Sequence, residues 1–376
     1  MRKAAWIPIL VLMAFAAGCF VYVPSDEGDH YPVPGEEETS YDAPEHDISV
    51  FYDDLAPYGA WVDYPRYGYV WVPRHMPYGW RPYTHGRWAW TDYGWTWVSG
   101  YEWGWIPFHY GRWGFDYSLG WFWVPDTVWG PAWVAWRTGD FYIGWAPLPP
   151  DAEFVAGVGI RPSGFDIPPS AWIFIEGRYF WDDRLDRYTL PYERNMTIIN
   201  FTVVNINIRT RGDHVYNEGF NPDEAWRLTR RPLTRYRLQD PGRPEATRIE
   251  GDQVLMHKPV LSRNRLAKPK TILRPEDASA ELAREGPSES AVGEIHVRER
   301  RLLEESQNEE ITVIRKKVDE DRKRARTSED KIKIERELET KVSDLKKKHA
   351  EEKADLEKRQ KQDETKIKKG TLKKKD

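Results

Sequence analysis

Sixteen of the chain's 20 tryptophans lie between Trp61 and Trp145, and they recur in a repeating pattern. Gly68-Tyr69-Val70-Trp71-Val72 returns as Gly94-Trp95-Thr96-Trp97-Val98 and again as Gly120-Trp121-Phe122-Trp123-Val124, at one constant spacing. A degenerate fourth copy reads Gly144-Trp145-Ala146-Pro147. A second marker stands at Gly86-Arg87-Trp88 and Gly111-Arg112-Trp113, each preceded by a Gly-Trp-x-Pro-aromatic segment, Gly79 to Tyr83 and Gly104 to Phe108. Self-similarity at a fixed period means that one supersecondary unit is reused. Strand side chains alternate, so Trp-x-Trp puts both indoles on one face. Asp92-Tyr93-Gly94 and the run Asp116 to Gly120 supply turn residues, and glycine and proline are too frequent here for helix. Each unit is therefore a short β-hairpin, and neighbouring units are expected to stack and bury their rings.

The rest of the chain reads differently. Pro149 to Pro169 is loop-like. Strands are expected at Ala171 to Glu176 and at Asn195 to Arg209, and a hairpin with a Gly-Asp turn over Arg248 to Val254. Residues 221–247 and 258–292 are rich in proline and arginine and show no period. Proline and glycine then vanish between Gly293 and Gly370, which predicts a charged helix from about 294 to 369. Glu337 with Lys341, and Asp344 with Lys348, make favourable i,i+4 pairs. Leu338, Val342, Leu345 and Leu356 follow a heptad, but His349 and Glu352 sit in its seam and make it too polar for a standard coiled coil. The expected fold class is mainly β: repeated Trp-rich β-hairpins plus further strands, followed by a long charged C-terminal α-helix. The expected organisation is a lipoprotein signal peptide over 1–18, a flexible tether over 19–48, the Trp-rich β-repeat domain over 49–150, a second β region over 151–260, a linker over 261–292 and a charged helical or coiled-coil tail over 293–376.

The leader carries Arg2 and Lys3, then a mostly apolar run from Trp6 to Gly18, shorter than the roughly 20 residues a membrane span needs. It ends Ala16-Ala17-Gly18-Cys19, and Cys19 is the one cysteine of the chain. Small residues before a cysteine resemble a lipobox, which implies lipidation of Cys19. Phe20, rather than an aspartate, follows it, which by the sorting rules of such proteins implies the outer membrane, facing the periplasm. A single cysteine excludes intrachain disulfides and cysteine-rich zinc sites. The formal net charge is −4. It is uneven: residues 19–292 sum to about −11 and residues 293–376 to about +5. No lysine falls between Lys3 and Lys258. The cations there are arginine and histidine, and arginine stacks well on aromatic rings.

The repeats, together with Leu55-Ala56-Pro57-Tyr58-Gly59-x-Trp61, the run Val128 to Arg137 and Gly144 to Pro150, resemble a family of exported bacterial tryptophan-rich proteins classed as a domain of unknown function. The resemblance covers roughly residues 50–260 and implies no activity. The charged tail lies outside it.

No catalytic constellation stands out. Asp92, Glu102, Asp116, Asp126 and Asp140 are the carboxylates a glycan hydrolase would draw on, yet Asp92 and Asp116 fall beside turns at equivalent repeat positions, as scaffold residues do. His75, His85 and His109 match no metal-ligand spacing. No phosphate-cradling glycine loop and no nucleophile elbow are present. Neither a cofactor, a metal nor nucleic acid is expected. Indole faces stack on sugar rings and hold cations, so the expected function is a non-enzymatic cell-envelope lipoprotein whose Trp-rich domain binds or scaffolds cell-wall glycan (peptidoglycan) or an envelope protein. The alternative is a glycan-processing hydrolase. The expected surface is Trp88, Trp97, Trp113 and Trp123, supported by Arg87 and Arg112, with the tail available for self-association and its lysine-rich end for anionic lipid or polymer.

Overall fold

A computed structural model describes residues 46–161, 164–284 and 286–372, with side chains to residue 368. The leader, Cys19 and the tether up to residue 45 lie outside the described residues; the end of the expected tether is ordered, with His46–Asp47 paired in parallel to Leu261–Ser262. Among the described residues, no helix is long and apolar enough to cross a membrane.

All four repeat units form hairpins. They pair Gly59–Tyr64 with Gly68–Pro73, Gly86–Thr91 with Gly94–Ser99, Arg112–Asp116 with Gly120–Val124, and Val134–Thr138 with Tyr142–Pro147. Each register sets two indoles directly opposite: Trp61 with Trp71, Trp88 with Trp97, Trp113 with Trp123 and Trp136 with Trp145. Such cross-strand aromatic pairs are the unit of sheet stabilisation. Gly68, Gly94 and Gly120 take φ values of 71°, 83° and 75°, a left-handed conformation that disfavours other residues. In the degenerate fourth unit the glycine does another job, because a Cβ on Gly144 would lie 2.3 Å from the ring of Phe174.

The units do not stack in chain order. The first and third hairpins share a four-stranded antiparallel sheet, joined where Trp71 faces Trp123. The second lies inside a seven-stranded mixed sheet, ordered Ile208–Arg211, His214–Asn217, Gly94–Ser99, Gly86–Thr91, Arg235–Gln239, Gln253–Leu255, Arg248–Glu250. The fourth is flanked by Ile173–Glu176 and Val203–Asn205. Strands from the expected second β region thus complete the sheets of the repeats instead of forming a unit of their own. One aromatic core joins them: Trp61, Trp71, Trp88, Trp97, Trp113, Trp123, Trp136 and Trp145 belong to a single buried cluster, closed by Phe51 and Leu55 of helix α1 (Ser49–Leu55). Indole N–H groups find backbone acceptors inside it, as from Trp71 to the Leu55 carbonyl at 3.0 Å and from Trp145 to that of Tyr83 at 2.9 Å.

Three expectations change. The strand expected over Asn195 to Arg209 begins as a short helix, α2 (Asn195–Ile199). The Asn195 side chain donates to the carbonyls of Pro169 and Trp172 at 2.8 and 2.7 Å, which holds the chain in a turn there. Pairing resumes only at Val203. The expected linker is tied down: Leu273 exchanges backbone bonds with Trp61 and Asp63 at 2.8 and 3.0 Å. After α3 (Pro222–Thr229), helix α4 (Pro275–Arg284) buries Ala278 and pairs Glu281 with Arg74. The tail is two helices, α5 (Glu289–Arg324) and α6 (Ser328–Leu372). Ala325 is extended, and Thr327 and Asp330 cap α6 reciprocally, the Asp330 N–H donating to the Thr327 hydroxyl at 3.1 Å and the hydroxyl to the Asp330 carboxylate at 2.6 Å. Such a threonine N-cap starts a helix even within a strongly helical run.

The tail helices run antiparallel and dock on the β domain through their polar seam. Arg194 is fully buried, and its guanidinium grips both helices. It donates to both Glu352 carboxylate oxygens at 3.0 and 3.2 Å, to Glu310, to the Tyr142 hydroxyl at 3.1 Å and to the Ser306 hydroxyl at 3.3 Å. His349 meets Glu310 at 2.9 Å, and the Gln307 side chain donates to Glu352 at 2.8 Å. Farther along, Arg359 pairs with Glu193 at 2.6 Å and Glu299 at 2.8 Å. Of the two residues that made the seam too polar for a coiled coil, Glu352 binds Arg194 of the β domain, and His349 holds Glu310, the other carboxylate that Arg194 engages.

Candidate functional site

The four tryptophans expected on a shared surface are interior. Trp88, Trp97, Trp113 and Trp123 are 2%, 0%, 2% and 0% exposed. Rings this buried offer no face to a ligand, so that expectation is corrected. The reason is the common core: Trp88 packs against Trp97, Trp136 and Trp145 with ring centres 5.0, 4.4 and 5.7 Å apart. The Trp113 and Trp123 N–H groups donate to the carbonyls of Pro107 and Tyr110 at 2.9 and 2.7 Å. Arg112 is buried as well. Its guanidinium lies 3.5 Å from the Trp133 ring centre and donates to the Gly111 carbonyl at 2.7 Å. Burial lowers its pKa to about 10. It caps an indole within the core, not a ligand.

Arg87 alone of the six reaches the surface, at an open cleft of about 590 Å³. The second hairpin supplies Arg87, the loop after Ile173–Glu176 supplies Arg178, Tyr179, Trp181, Asp182, Asp183 and Tyr188, and the segment after α3 supplies Arg231. Two short 3-10 turns, Gly177–Tyr179 and Leu185–Arg187, fold that loop so that Tyr179 and Tyr188 stack in parallel, 4.1 Å apart with planes 8° off. Trp181 packs its ring against Phe180 at 5.1 Å and Trp95 at 6.0 Å, which fastens the cleft to the aromatic core. Helix α3 ends where Arg230 turns left-handed, at φ 56°, sending the chain on to Arg231.

Charges in the cleft divide into paired and unpaired. Arg178 meets Glu176 at 2.5 Å. Asp182 accepts from the Arg184 N–H at 2.9 Å and from the Tyr188 hydroxyl, whose pKa is raised by desolvation and by that carboxylate. The Arg87 and Arg231 guanidinium groups carry neither a hydrogen bond nor an ion pair among the described residues. The Trp181 indole N–H is buried and also lacks a partner.

Four of the five carboxylates weighed for hydrolysis hold structural partners; Asp140 is exposed between the strands of the fourth hairpin, with no such partner among the described residues. Asp92 accepts from Arg235 at 2.8 Å, Glu102 from the Tyr58 hydroxyl at 3.2 Å, Asp116 from the Ser118 N–H in its own turn at 2.7 Å, and Asp126 from the Thr127 N–H at 2.7 Å. The histidines stand apart in role. His109 is buried, pairs with the Gly130 carbonyl at 3.1 Å and has its pKa lowered to about 4 by desolvation. His85 packs on Tyr101, with ring centres 4.6 Å apart. No group of three or more His, Cys, Asp or Glu is placed to hold a metal ion among the described residues.

Residues 52–152 match the model of a family described as a family of unknown function, DUF6600. The chain is similar to that family over the four hairpins; the match takes in Arg87 but ends before the loop and the α3 segment that complete the cleft. No curated protein and no solved structure matches the chain.

Proposed function

We propose that the protein is a non-enzymatic cell-envelope lipoprotein, held through a lipid on Cys19 in the outer membrane and facing the periplasm, whose β domain binds cell-wall glycan. The observation that carries this reading is the division of labour among the aromatic residues. The repeat tryptophans are locked into a core, while the stacked Tyr179 and Tyr188 remain half-exposed along an open cleft with Arg87 and Arg231. Aromatic rings at a cleft wall suit sugar rings, which present apolar faces between their hydroxyls. The structural partners of Asp92, Glu102, Asp116 and Asp126 favour binding over hydrolysis, because a general acid or base needs to be free to exchange its proton with substrate. The tail, clasped to the domain by Arg194, adds a charged arm that suits a scaffolding role.

Two measurements test the proposal. Cys19→Ser is expected to move the protein from the membrane fraction to the soluble fraction, and retention after a high-salt wash refutes the anchor. The mature full-length protein is expected to sediment with purified peptidoglycan sacculi. Failure to do so, with capture of an envelope protein instead, replaces glycan with a protein partner.

A further inference from the structure

We infer that the aromatic tip of the third hairpin, Phe115, Tyr117 and Trp121, seats in the headgroup layer of a phospholipid bilayer. This rests on the reading that a lipid on Cys19 anchors the protein, and it adds which face of the β domain meets that membrane.

The four hairpins can be compared rung by rung. Two residues nearer the turn than each opposed tryptophan pair, the registers set Asp63 opposite Tyr69, Trp90 opposite Trp95, Phe115 opposite Trp121 and Thr138 opposite Ile143. Strand side chains alternate, so these rungs share the face of the tryptophan pairs. In the second hairpin Phe180 and Phe220 pack over Trp95, with ring centres 5.1 and 4.7 Å away, and Trp95 is fully buried. Ile143 of the fourth is fully buried too. In the first, Tyr52 of α1 meets Tyr69 at 6.5 Å. The third hairpin keeps its rung open. Phe115 is 55% exposed and Trp121 is half-exposed, and Phe115 meets Trp121 at 5.5 Å and Tyr117 at 5.6 Å. Tyr117, in the turn, is fully exposed. The result is an apolar knob that the fold leaves uncovered.

The chemistry around the rings selects what covers it. The Trp121 and Tyr117 planes lie 65° and 82° from that of Phe115, so the three make no flat platform for a sugar ring. Asp116 is the one charged side chain of the turn. It is engaged by the Ser118 and Leu119 N–H groups at 2.7 and 3.1 Å and by the Tyr64 hydroxyl at 3.2 Å, which leaves no free ionic group to orient a polar ligand. Tyrosine and tryptophan combine an apolar body with one polar edge, and they gather where hydrocarbon meets headgroups.

The chain also enters the domain beside this face. Phe51 of α1 packs on Trp123, with ring centres 5.7 Å apart, and Trp123 and Trp121 share one face of one strand. Residues 20–45 alone separate Cys19 from the first described residue, His46. A lipid on Cys19 therefore confines this end of the fold to within roughly 90 Å of the bilayer at full extension. Tethering makes the second contact intramolecular, so a small apolar knob is enough to set the orientation. The segment paired with His46 and Asp47 adds Val260 and Leu266, 77% and 92% exposed, with Leu266 between Arg265 and Lys268. Headgroups accept that mixture of apolar and cationic side chains.

The test uses the mature Cys19→Ser chain, which carries no lipid, so the result is independent of anchoring. The probe is vesicles of phosphatidylcholine, which offer no net charge to the basic tail. Ser118→Cys in this background introduces a single thiol for an environment-sensitive fluorophore. Its emission is expected to shift to the blue on vesicles, while the same label placed through Ser328→Cys at the start of α6 keeps its aqueous emission. The double variant Phe115→Ser, Tyr117→Ser is expected to partition about ten-fold or more weakly in vesicle sedimentation. Both positions are exposed, so the melting temperature should not change. If it does, Tyr117→Ser alone, at a fully exposed site, carries the comparison with a smaller loss in the same direction. No blue shift at saturating lipid, or equal partition of parent and variants, overturns the inference. So does a double variant that loses peptidoglycan retention or a dimer while its vesicle partition is unchanged, because the tip then serves glycan or a second copy. A wild-type chain without lipid but with a vesicle-seeking tip refutes the anchor and keeps this contact. A lipidated chain with an inert tip does the reverse.

Discussion

Replacing Arg194 with methionine removes the cation that joins the tail to the β domain. Arg194 is fully buried, and Glu310 and Glu352 are 2% and 5% exposed. The site holds two carboxylates against one guanidinium, with His349 against Glu310. The pKa of Glu310 lies below the usual carboxylate range: burial opposes this, but the hydrogen bond from His349 and the Arg194 charge outweigh it. In Arg194→Met the two carboxylates stay buried without their main partner. Breaking a buried pair from one side costs about 3–5 kcal/mol, far more than the intact pair contributes over an apolar replacement. The cost falls on docking, because Glu310 and Glu352 regain water once α5 and α6 lift away, whereas the tryptophan core does not depend on them. At about 1.4 kcal/mol per factor of ten, the docking equilibrium should shift by a factor of about 100 to 3,000. Amide hydrogen exchange is the assay. Protection is expected to fall over residues 296–310 and 349–363 and to persist over the four hairpins. The triple variant Arg194→Met, Glu310→Leu, Glu352→Leu is expected to recover most of the protection. The reasoning fails if the single variant keeps wild-type protection in both tail segments, or if the hairpins lose theirs along with the tail.

Trp97→Ala removes a 0% exposed indole from the common core and is expected to destabilise the domain by about 3–5 kcal/mol in denaturant unfolding; a loss under 1 kcal/mol would put that ring outside the core. His109 is buried with its pKa lowered from 6.5 to about 4, so unfolding takes up a proton between those values. Its contribution to stability is full above about pH 6.5 and falls by about 3 kcal/mol as the pH drops to 4 and below; His109→Gln should flatten that part of the pH–stability curve. Gly94→Ala sets a Cβ at φ 83° and 2.2 Å from the Asn217 carbonyl oxygen, whereas Gly68→Ala has φ 71° and open space. Melting curves should show the first costing clearly more than the roughly 1–2 kcal/mol left-handed penalty expected for the second; equal losses would show that the turn alone matters.

The candidate cleft was only partly legible in the sequence. Gly-Arg-Trp singled out Arg87, because the motif sits in a repeat. Tyr179, Trp181, Tyr188 and Arg231 lie in segments without a period, and no local rule brings them to one wall. A signal was present in the run from Arg178 to Arg184, where three consecutive aromatic residues are flanked by charges with no strand or helix period. The tail shows the same limit. His349 and Glu352 read as flaws in a heptad because the sequence does not reveal the buried Arg194, which Glu352 meets directly and to which His349 is linked through Glu310. The Thr327-x-x-Asp330 cap, which splits the helix, was readable but lay hidden among charges.

By itself the sequence determined the hairpins. A hairpin needs only neighbouring residues: glycines that accept a left-handed turn, and side chains that alternate across two adjacent strands. The same local rules settled the helical character of the tail, where glycine and proline are absent. Only the tertiary structure decided which face of each hairpin is core. The first unit pairs with the third, and the second pairs with strands more than a hundred residues downstream. Alternation places two indoles on one side of a strand, but whether that side meets water or other rings depends on what long-range pairing lays over it. Here it lays the other tryptophans.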